Sequence, residues 1–373
     1  MTSLPVLPFR LGLQQRVLPG YRQPFFDTLA RSCQGGLGVF AGQPRPAEMI
    51  ESGPGLQTAR YFPATNHHLL SGTLYTCWQG GLLAWLENWQ PDALIVEANP
   101  RYLSTPAGVS WMHARRRPVI GWGLGAPAAS GALAGLRRVA RRAFLRQFDA
   151  LLVYSAQGAA QYAGLGLNPD RIFVASNAMA PRPTNPVPPR PPAPAGRPVV
   201  LFVGRLQARK RIDLLLQACA RLPAAVQPAL WVVGGGPEQP GLEALAKSVY
   251  PAAQFFGPRF GPELDQLFCQ ADLFVLPGTG GLAVQQAMSF GLPVIVAEGD
   301  GTQSDLVRPG SGWLVAPGSL ESLTACLAAA LADFPRLRRM GLESYRIVAE
   351  EVNVEAMAAV FCRAVTAACQ GRG

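Results

Sequence analysis

The chain has 373 residues, of which 49% are apolar, and its 33 Lys and Arg against 23 Asp and Glu give a formal net charge of +10. This length is long for one domain and predicts two, while no uninterrupted apolar run reaches the roughly 20 residues of a membrane-spanning helix. The N-terminus lacks the charged start, apolar core and cleavage site of a signal peptide, so we expect none.

The cysteines and the charge distribution exclude further classes of protein. The seven cysteines lie far apart without a CxxC pair, which is typical of reduced thiols in the cytoplasm and predicts no zinc site. Residues 1–178 hold 16 Arg against 8 Asp and Glu. Nucleic acid, an anionic membrane surface or a phosphate-bearing substrate could each explain this excess. Because no zinc finger, helix-turn-helix or RNP-type motif accompanies it, we do not expect nucleic acid as a partner.

Short apolar runs in the first half predict buried parallel strands. They lie at 37–40, 93–96, 119–122 and 150–154. Between the last two, residues 133–148 predict a helix in which Arg137, Arg138, Arg141 and Arg142 lie opposite the apolar residues. The simpler interpretation is a solvated helix packed on its sheet, and the alternative is a helix lying on a membrane surface.

A proline-rich segment, residues 179–198, separates the two halves of the chain. Nine prolines in APRPTNPVPPRPPAPAGRP exclude a helix interior or a central strand and predict a semi-rigid extended linker. The predicted domains are therefore an N-terminal one at 1–178 and a C-terminal one at 199–350, followed by a final segment at 351–373.

The second half alternates strands and helices more regularly. We predict strands at 199–203, 229–233, 254–256, 273–276, 293–297 and 312–315, and helices at 212–222, 242–249, 262–270, 282–290 and 320–332. This alternation is typical of a doubly wound parallel sheet. We therefore expect an α/β protein of two Rossmann-like domains, with a ligand cleft at the carboxyl ends of both sheets.

Two polar turns of the second half follow predicted strands directly. The turn GRL at 204–206 places Arg205 five residues before Lys210, and two cations at this edge of a sheet suit a diphosphate. The run RKR at 209–211 could equally be a solvated loop. The triple glycine at 234–236 lets the backbone approach a ligand closely, although most such glycines only form a turn.

Two further turns lead into helices. PGTGGL at 277–282 and GTQSD at 301–305 follow strands, and a helix N-terminus presents free N–H groups and a positive dipole end to phosphate. A dinucleotide-binding fold is the competing interpretation. We do not predict NAD, because no GxGxxG motif is followed by an acidic residue about 20 positions later.

In order and spacing these turns resemble the retaining family-four glycosyltransferases of group 1, which have the GT-B fold. The resemblance covers residues 199–335 through LFVGRLQARKRIDLLLQA, LWVVGGGPEQPGLEALA and GLAVQQAMSFGLPVIVAEGDGTQSDLV. In the first half it is weaker and rests on VLPGYRQPFFDTLA and ALLVYSAQGAAQYAGLGLNPDRIFVASNAM. It implies sugar transfer with retention from a nucleotide-diphosphate donor to a glycan or lipid-linked glycan, no cofactor or metal, and a final helix that crosses back onto the N-terminal domain.

The resemblance also implies roles for individual residues. Arg205 and Lys210 match the pair that neutralises the donor diphosphate, where fixed cations stabilise the charge of the leaving group. The further residues expected on the donor side are Gly204, Gly235, Phe256, Gly278, Thr279, Gly280, Gly281, Leu282 and Gln286.

The sequence departs from the family pattern at three positions. The E-x7-E signature is replaced by Gly278, which offers only backbone, and by Gln286, which can bond a ribose without a carboxylate's charge. The family's N-domain histidine would fall at Leu124. These losses motivate an alternative, a catalytically degenerate protein that binds a nucleotide or a partner. A sugar-nucleotide epimerase of the same fold would need acid–base residues that we do not locate.

Candidates for the acceptor side come from the first half. Arg22 lies in PGYRQP near the opening helix, and Glu97, Asn99 and Arg101 follow the strand at 93–96. Each could also be an ordinary polar group of a loop. The cysteine pattern predicts a cytoplasmic protein, and the basic first half suggests peripheral attachment to an anionic membrane surface as a further hypothesis.

Overall fold

The computed structural model describes residues 4–45, 48, 55–127, 131, 133–280, 282–299 and 301–371. The chain divides into two compact units. Unit 1 comprises Met1–Pro181 with Asn353–Gly373, and unit 2 comprises Arg182–Val352.

Strands and helices alternate along most of the described chain. The strands are β1 (Leu11–Val17), β2 (Leu37–Gly42), β3 (Arg60–Pro63), β4 (Thr65–Leu69), β5 (Thr76–Gly80), β6 (Ala93–Glu97), β7 (Val119–Gly123), β8 (Ala150–Val153), β9 (Ile172–Val174), β10 (Val199–Val203), β11 (Ala229–Val233), β12 (Ala253–Gly257), β13 (Leu273–Leu276), β14 (Val294–Ala297) and β15 (Gly312–Val315). The helices are α1 (Gln23–Ser32), α2 (Leu82–Trp89), α3 (Thr105–Ala114), α4 (Ala134–Leu145), α5 (Ala156–Gly164), α6 (Ile212–Arg221), α7 (Gln239–Val249), α8 (Gly261–Gln270), α9 (Leu282–Ser289), α10 (Thr302–Leu306), α11 (Leu320–Leu331), α12 (Phe334–Glu350) and α13 (Val354–Gln370).

Each unit is built on a parallel sheet. In the described part of unit 1 the strand order is β3-β2-β1-β6-β7-β8-β9, and in that of unit 2 it is β12-β11-β10-β13-β14-β15. Every residue of β2, β8, β13 and β14 is buried, as expected of parallel strands covered on both faces. The prediction of two Rossmann-like, doubly wound domains is confirmed.

In both sheets the strand order reverses at one point, where ligands of such folds bind beyond the carboxyl ends of the strands. The reversal lies between β1 and β6 in unit 1 and between β10 and β13 in unit 2.

Strand β1 lies at the centre of unit 1, although the sequence did not predict it. Its segment LGLQQRV interrupts the apolar run with polar residues, of which Gln14 and Gln15 are buried. Gln79 bonds to each of them: its Oε1 accepts from Gln14 Nε2 at 2.8 Å and its Nε2 donates to the Gln15 backbone carbonyl at 3.0 Å, while Gln14 Oε1 has no partner among the described residues. A buried polar group is tolerated when it is hydrogen-bonded, and this partner is distant in sequence.

The final helix α13 belongs to the core of unit 1. Asn353, the residue before its first turn, is a typical N-cap. Its side chain accepts a hydrogen bond from the Ala356 N–H at 2.8 Å. Phe361 lies 4.8 Å from the Phe25 ring and 4.9 Å from the Trp122 ring, centroid to centroid.

The chain leaves and re-enters unit 1 at adjacent points. The Val354 N–H donates to the Ala180 carbonyl at 3.0 Å.

The proline-rich segment packs on unit 2 through Arg190. This guanidinium donates to the carbonyls of Phe268, Ala271 and Phe290, each at 2.9 Å. These carbonyls lie at the C-terminal ends of α8 and α9, where a helix leaves its last carbonyls unbonded and favours a cation. Arg190 therefore caps two helices at once.

Helix α4 differs from the simpler of the two interpretations of its sequence. Leu136 is 66% exposed and Val139 is 65% exposed, whereas Leu145 at its end is buried. Leu136 and Val139 therefore face solvent, as do Arg137, Arg138 and Arg142, and the helix joins the core of unit 1 through Leu145 and the partly buried Phe144.

No single helix among the described residues has both the length and the hydropathy to cross a membrane; α12 and α13 pass that test only when counted together as a bent pair.

Candidate functional site

The turns after β10, β11 and β12 are joined by backbone hydrogen bonds at one edge of unit 2. The Leu206 N–H donates to the Gly235 carbonyl at 3.0 Å, and the Gly234 N–H donates to the Gly257 carbonyl at 2.9 Å. At Gly234, with φ of +131°, a Cβ atom would clash with the Gly204 carbonyl. Glycine is therefore required for this close approach, which brings the GRL turn and the triple glycine together.

Lys210 lies directly against the turn that follows β13. Its Nζ donates to the Thr279 carbonyl at 2.6 Å, and the Thr279 N–H donates to the Arg209 carbonyl at 3.0 Å. A Cβ at Gly278 would clash with the backbone of Arg209 and Lys210, and one at Gly280 would clash with Lys210 Nζ. The space that a glutamate side chain would need at position 278 is thus filled by the neighbouring loop.

Burial and a neighbouring charge make Lys210 easier to deprotonate. Desolvation is the main cause and the charge of Arg209 the second, and together they lower the pKa of Lys210 to about 8. An anion placed beside the ammonium would favour its charged form again. Arg205 is half-buried on the same loop, so the two predicted cations share one edge of the sheet.

Helix α9, which follows this turn, contains two adjacent glutamines that differ in burial. Gln285 is buried and its Nε2 donates to the Val352 carbonyl at 2.6 Å, which is a structural role. Gln286, the predicted ribose contact, is half-buried on the same helix, as is Leu282 at its start. The predicted contact Gly281 lies outside the described residues.

Gln303 is a candidate that the sequence did not single out. It is buried, and its Nε2 donates to the Gly280 carbonyl at 3.2 Å. Its Oε1 has no hydrogen-bond partner among the described residues, although buried polar atoms are usually bonded. The signal available in the sequence was its place in the GTQSD turn.

The predicted donor-side residue Phe256 lies near the end of β12. Its ring packs at 5.4 Å from that of Trp231, at 64°, and is half-buried. The next residue, Gly257, has a φ of +65°. The turn at Gly257 thus lies next to the triple glycine, because the Gly257 carbonyl accepts the hydrogen bond from the Gly234 N–H.

A cavity of about 440 Å³ opens at the corresponding edge of unit 1. Three of the four predicted acceptor-side residues line it: Arg22, Glu97 and Asn99. Arg101 is outside the described lining; it is exposed, and its N–H donates to Asn99 Oδ1 at 3.1 Å. Leu124, at the position of the family's histidine, lies in the cavity wall.

Arg22 is held rigidly in this cavity. It is 4% exposed, and its Nη2 donates to the Tyr154 hydroxyl at 2.9 Å. The guanidinium lies 5.2 Å from the ring centroids of both Trp122 and Tyr154 and 5.4 Å from that of Tyr21. Aromatic faces attract a cation, so these rings fix its orientation.

Glu97 ends β6 at the floor of the cavity. Its Oε2 accepts from the Arg16 N–H at 2.5 Å. Burial disfavours the carboxylate and raises the pKa of Glu97 to about 7, although the Arg16 hydrogen bond and the charges of Arg16 and Arg22 oppose the shift. This side chain can therefore donate or accept a hydrogen bond near neutral pH.

Two more residues of the cavity have unused hydrogen-bonding atoms. Trp122 Nε1 and Asn177 Oδ1 are buried and without a partner among the described residues, and both residues line the cavity. One is a donor and the other an acceptor, and both atoms are closed off from solvent behind the cavity wall. The sequence did not single out either, although both lie in or after predicted elements of the first half.

Two family models match this chain. The model described as glycosyl transferases group 1 matches residues 186–346, and the one described as a glycosyl transferase 4-like domain matches residues 29–178. Together they cover most of the chain.

Curated relatives match shorter segments. The sulfoquinovosyl transferase SQD2 of Arabidopsis thaliana is 34% identical over 143 residues, which are 37% of this chain and 27% of the plant protein. A GDP-mannose-dependent alpha-mannosyltransferase of Mycobacterium tuberculosis is 37% identical over 128 residues, 34% of this chain and 32% of that protein. The matched segments thus span less than a third of either relative.

Solved structures match nearly the whole chain. Anabaena Alr3699/HepE, in complex with UDP, has a TM-score of 0.72 at 18% identity and covers 96% of this chain and 99% of its own. Sucrose-phosphate synthase from Thermosynechococcus elongatus has a TM-score of 0.66 at 20% identity, covering 94% and 96%. These similarities confirm the expected GT-B fold.

Proposed function

Because this chain belongs to the group 1 glycosyltransferases, we propose that it transfers a sugar from a nucleotide-diphosphate donor to a glycan or lipid-linked glycan acceptor. In this proposal unit 2 binds the donor and the cavity of unit 1 binds the acceptor. The contact of Lys210 with the glycine turn after β13 carries the proposal. It places a cation where a diphosphate would meet the start of α9.

The proposed chemistry stabilises the departing nucleotide diphosphate. As the glycosidic bond to the donor phosphate breaks, negative charge grows on the diphosphate, and Arg205 and Lys210 offset it with the N–H groups at the start of α9. The proposal includes no metal. It also includes retention at the anomeric carbon, which rests on the family resemblance.

The relatives indicate which donors to test. The name of one contains GDP-mannose, and one neighbouring structure binds UDP. Both molecules contain a nucleoside diphosphate, consistent with a site built around phosphate.

The family matches do not favour the alternative of a catalytically degenerate binding protein. The lost glutamate has not left a void at Gly278, because the backbone of Arg209 and Lys210 packs into its place.

The proposal also includes a cytoplasmic location and peripheral attachment to an anionic membrane surface through α4. The outward apolar residues Leu136 and Val139 could enter the interface, and the arginines of the same helix could meet anionic headgroups.

Thermal denaturation with UDP, GDP, ADP and their sugars, followed by nucleotide-release assays across a panel of glycan acceptors, tests the function. We expect one nucleotide to raise the melting temperature and its sugar to be consumed, with activity unchanged in EDTA. The anomeric proton of the product in NMR reports retention.

Three outcomes would count against parts of the proposal. Binding without turnover across the acceptor panel would favour the degenerate alternative. Loss of activity in EDTA that magnesium or manganese restores would contradict the metal-free site. No stabilisation by any nucleotide would overturn the donor assignment.

A further inference from the structure

A second cavity, of about 950 Å³, lies between α4 and α5 in unit 1. Pro100 and Arg141 line both this cavity and the smaller one. The two therefore meet at these residues, and the larger one, which we call the α4 groove, continues from the cavity that contains Glu97.

The α4 groove combines apolar walls with cations. Ala126, Pro127 and Leu165 contribute to its walls, and Arg138 and Arg141 line it. The described lining contains no carboxylate that would neutralise these charges.

Backbone carbonyls hold two of these cations in place. Arg138 Nη2 donates to the Gly164 carbonyl at 3.0 Å, and Arg141 Nη1 donates to the Pro127 carbonyl at 3.3 Å. Each guanidinium keeps further N–H groups for a ligand, since arginine has five donors. Arginine forks match phosphate oxygens geometrically.

The two cavities differ in the chemistry they can accept. The smaller one offers the side chains of Arg22, Glu97 and Asn99, a mixed set of donors and acceptors suited to neutral hydroxyl groups. Arg22 there is already bonded to Tyr154 and acts on the carboxyl of Glu97, so its charge is partly offset. The groove offers fixed positive charge and apolar surface, which suit an anionic group attached to an aliphatic chain.

We propose, on the basis of the proposed function, that the two cavities together bind one acceptor in which a sugar is joined through a phosphate or diphosphate to an apolar chain. The sugar occupies the smaller cavity, the phosphate lies at Arg141 where the cavities meet, and the chain follows the α4 groove. Both volumes are within the range of small-molecule sites, about 300–1,000 Å³. The outward apolar side of α4, with Leu136 and Val139, places the groove beside a lipid surface.

Binding is measured by calorimetry without donor, using three probes below their micellar concentrations. They are glucose linked through diphosphate to a dodecyl chain, glucose linked through diphosphate to a methyl group, and dodecyl maltoside. We expect the first to bind about tenfold or more tightly than either of the others, because only it reaches the cations and the apolar walls together.

Two neighbouring arginines provide a matched pair of variants. Arg141→Gln should weaken binding of the dodecyl diphosphate probe about tenfold or more, because it removes a charge-assisted bond. Arg142→Gln removes the same charge from the same helix, but Arg142 lies against Gly166 and outside the described lining of both cavities. It should change binding less than about twofold.

A third variant separates the chain from the phosphate and retains every charge. Ala140 lines the groove, so Ala140→Phe should fill it and weaken the dodecyl diphosphate probe to the affinity of the methyl probe, whose own binding stays unchanged. This variant keeps the inference testable if Arg141→Gln fails to fold.

Equal losses in Arg141→Gln and Arg142→Gln would overturn the inference, since the arginines would then act only as surface charge. The inference would also be overturned if the wild type bound dodecyl maltoside as tightly as the dodecyl diphosphate probe. Nucleotide-induced stabilisation is recorded on the same proteins. If nucleotides still stabilise the protein but the dodecyl diphosphate probe does not bind more tightly than the others, the acceptor inference falls and the donor proposal stands. If no nucleotide stabilises the wild type, the proposed function itself is contradicted.

Discussion

Lys210 shows how one side chain links two turns that are far apart in sequence. Its ammonium bonds the Thr279 carbonyl, while its backbone fills the space beside Gly278. The spacing of Arg205 and Lys210 after a strand was sufficient to predict them as a pair. The sequence could not show that Gly278 is packed by the loop of the same lysine, since that depends on how the turns after β10 and β13 meet.

Removing either predicted cation tests the donor site. Arg205→Ala and Lys210→Ala should each lower kcat/KM by an amount equivalent to about 2–4 kcal/mol of transition-state stabilisation. The matched control is Arg209→Ala, because this exposed side chain bonds Gln207 at 2.9 Å and belongs to the same charged run. Near-wild-type kcat/KM in both single variants would show that the run is a solvated loop.

Glu97 should make stability depend on pH. Its folded pKa of about 7 lies above the ordinary carboxyl value, so the folded protein binds an extra proton between about pH 4.5 and 7. Its neutral form therefore favours folding at low pH, and that advantage is lost as the pH rises through 7. Glu97→Gln stays neutral throughout and should become more stable than the wild type by roughly 2–3 kcal/mol at pH 8, with little difference near pH 4.5.

Denaturation curves of wild type and Glu97→Gln between pH 4.5 and 8 measure this difference. Glu238→Gln, which changes an exposed carboxylate, is the control and should show a much smaller pH dependence. A constant difference between wild type and Glu97→Gln across this range would show that Arg16 and Arg22 keep the carboxylate charged.

At the scale of elements, helix α4 differs from a helix whose apolar side packs on a core. Arg137, Arg138 and Arg141 line a groove, whereas Leu136 and Val139 are exposed. The helix itself and its two faces were predictable from residue spacing. Which face turns inward was not, because a hydrophobic pattern gives the relative positions of side chains but not the surface that receives them.

The outward apolar side of α4 predicts attachment to anionic liposomes. The wild type should sediment with them at low salt and be released by roughly 0.5 M salt, where surface charges are screened. Replacing Arg137, Arg138, Arg141 and Arg142 with Gln should weaken attachment, since each basic residue near such a surface contributes about 1 kcal/mol. The double variant Leu136→Gln with Val139→Gln should weaken it further.

Leu342→Gln, at another exposed apolar residue, and liposomes of phosphatidylcholine alone are the controls. Wild-type protein that stays in the supernatant at low salt would remove the membrane part of the proposal and leave the donor site untouched.

Arg190 makes the proline-rich segment a structural part of unit 2. Arg190→Gln should destabilise this unit by about 3 kcal/mol, because it leaves carbonyls at two helix ends without their charged donor. For a unit of this size that corresponds to a fall in melting temperature of about 6–12 °C. Arg197→Gln, an exposed position in the same segment, should change it little. Equal melting temperatures in calorimetry for both variants would contradict the capping role.

The strands of unit 2 were easier to predict than those of unit 1 for a physical reason. β10, β11, β13 and β15 are uninterrupted apolar runs, and their predicted bounds agree with the structure. In unit 1, β1 contains two buried glutamines, and β9 has only three residues, none of them fully buried. Strands such as β1 and β9 are stabilised by residues distant in sequence, which a local hydrophobic pattern does not reveal.

At the scale of the whole molecule, the two units repeat one arrangement and differ in chemistry. Each has its candidate site where the strand order reverses, with cations and glycine turns in unit 2 and a polar cavity leading to an apolar groove in unit 1. The excess of positive charge in residues 1–178 belongs to the unit with the groove. Family resemblance could indicate the first site, and the sequence could name Arg22, Glu97 and Asn99 for the second, whereas the groove beside it required side-chain positions from separated elements.

The hydrogen bond between Val354 N–H and the Ala180 carbonyl means that unit 2 is an insertion between two neighbouring points of unit 1. A short peptide joining Pro181 to Asn353 could therefore close unit 1 into one continuous, smaller polypeptide that keeps α13 in its core. The excised piece should begin at Arg182, because a fragment starting at Val199 would leave out Arg190 and its three carbonyl contacts. The two units, each with its own candidate site, could then be produced, exchanged and recombined as separate modules.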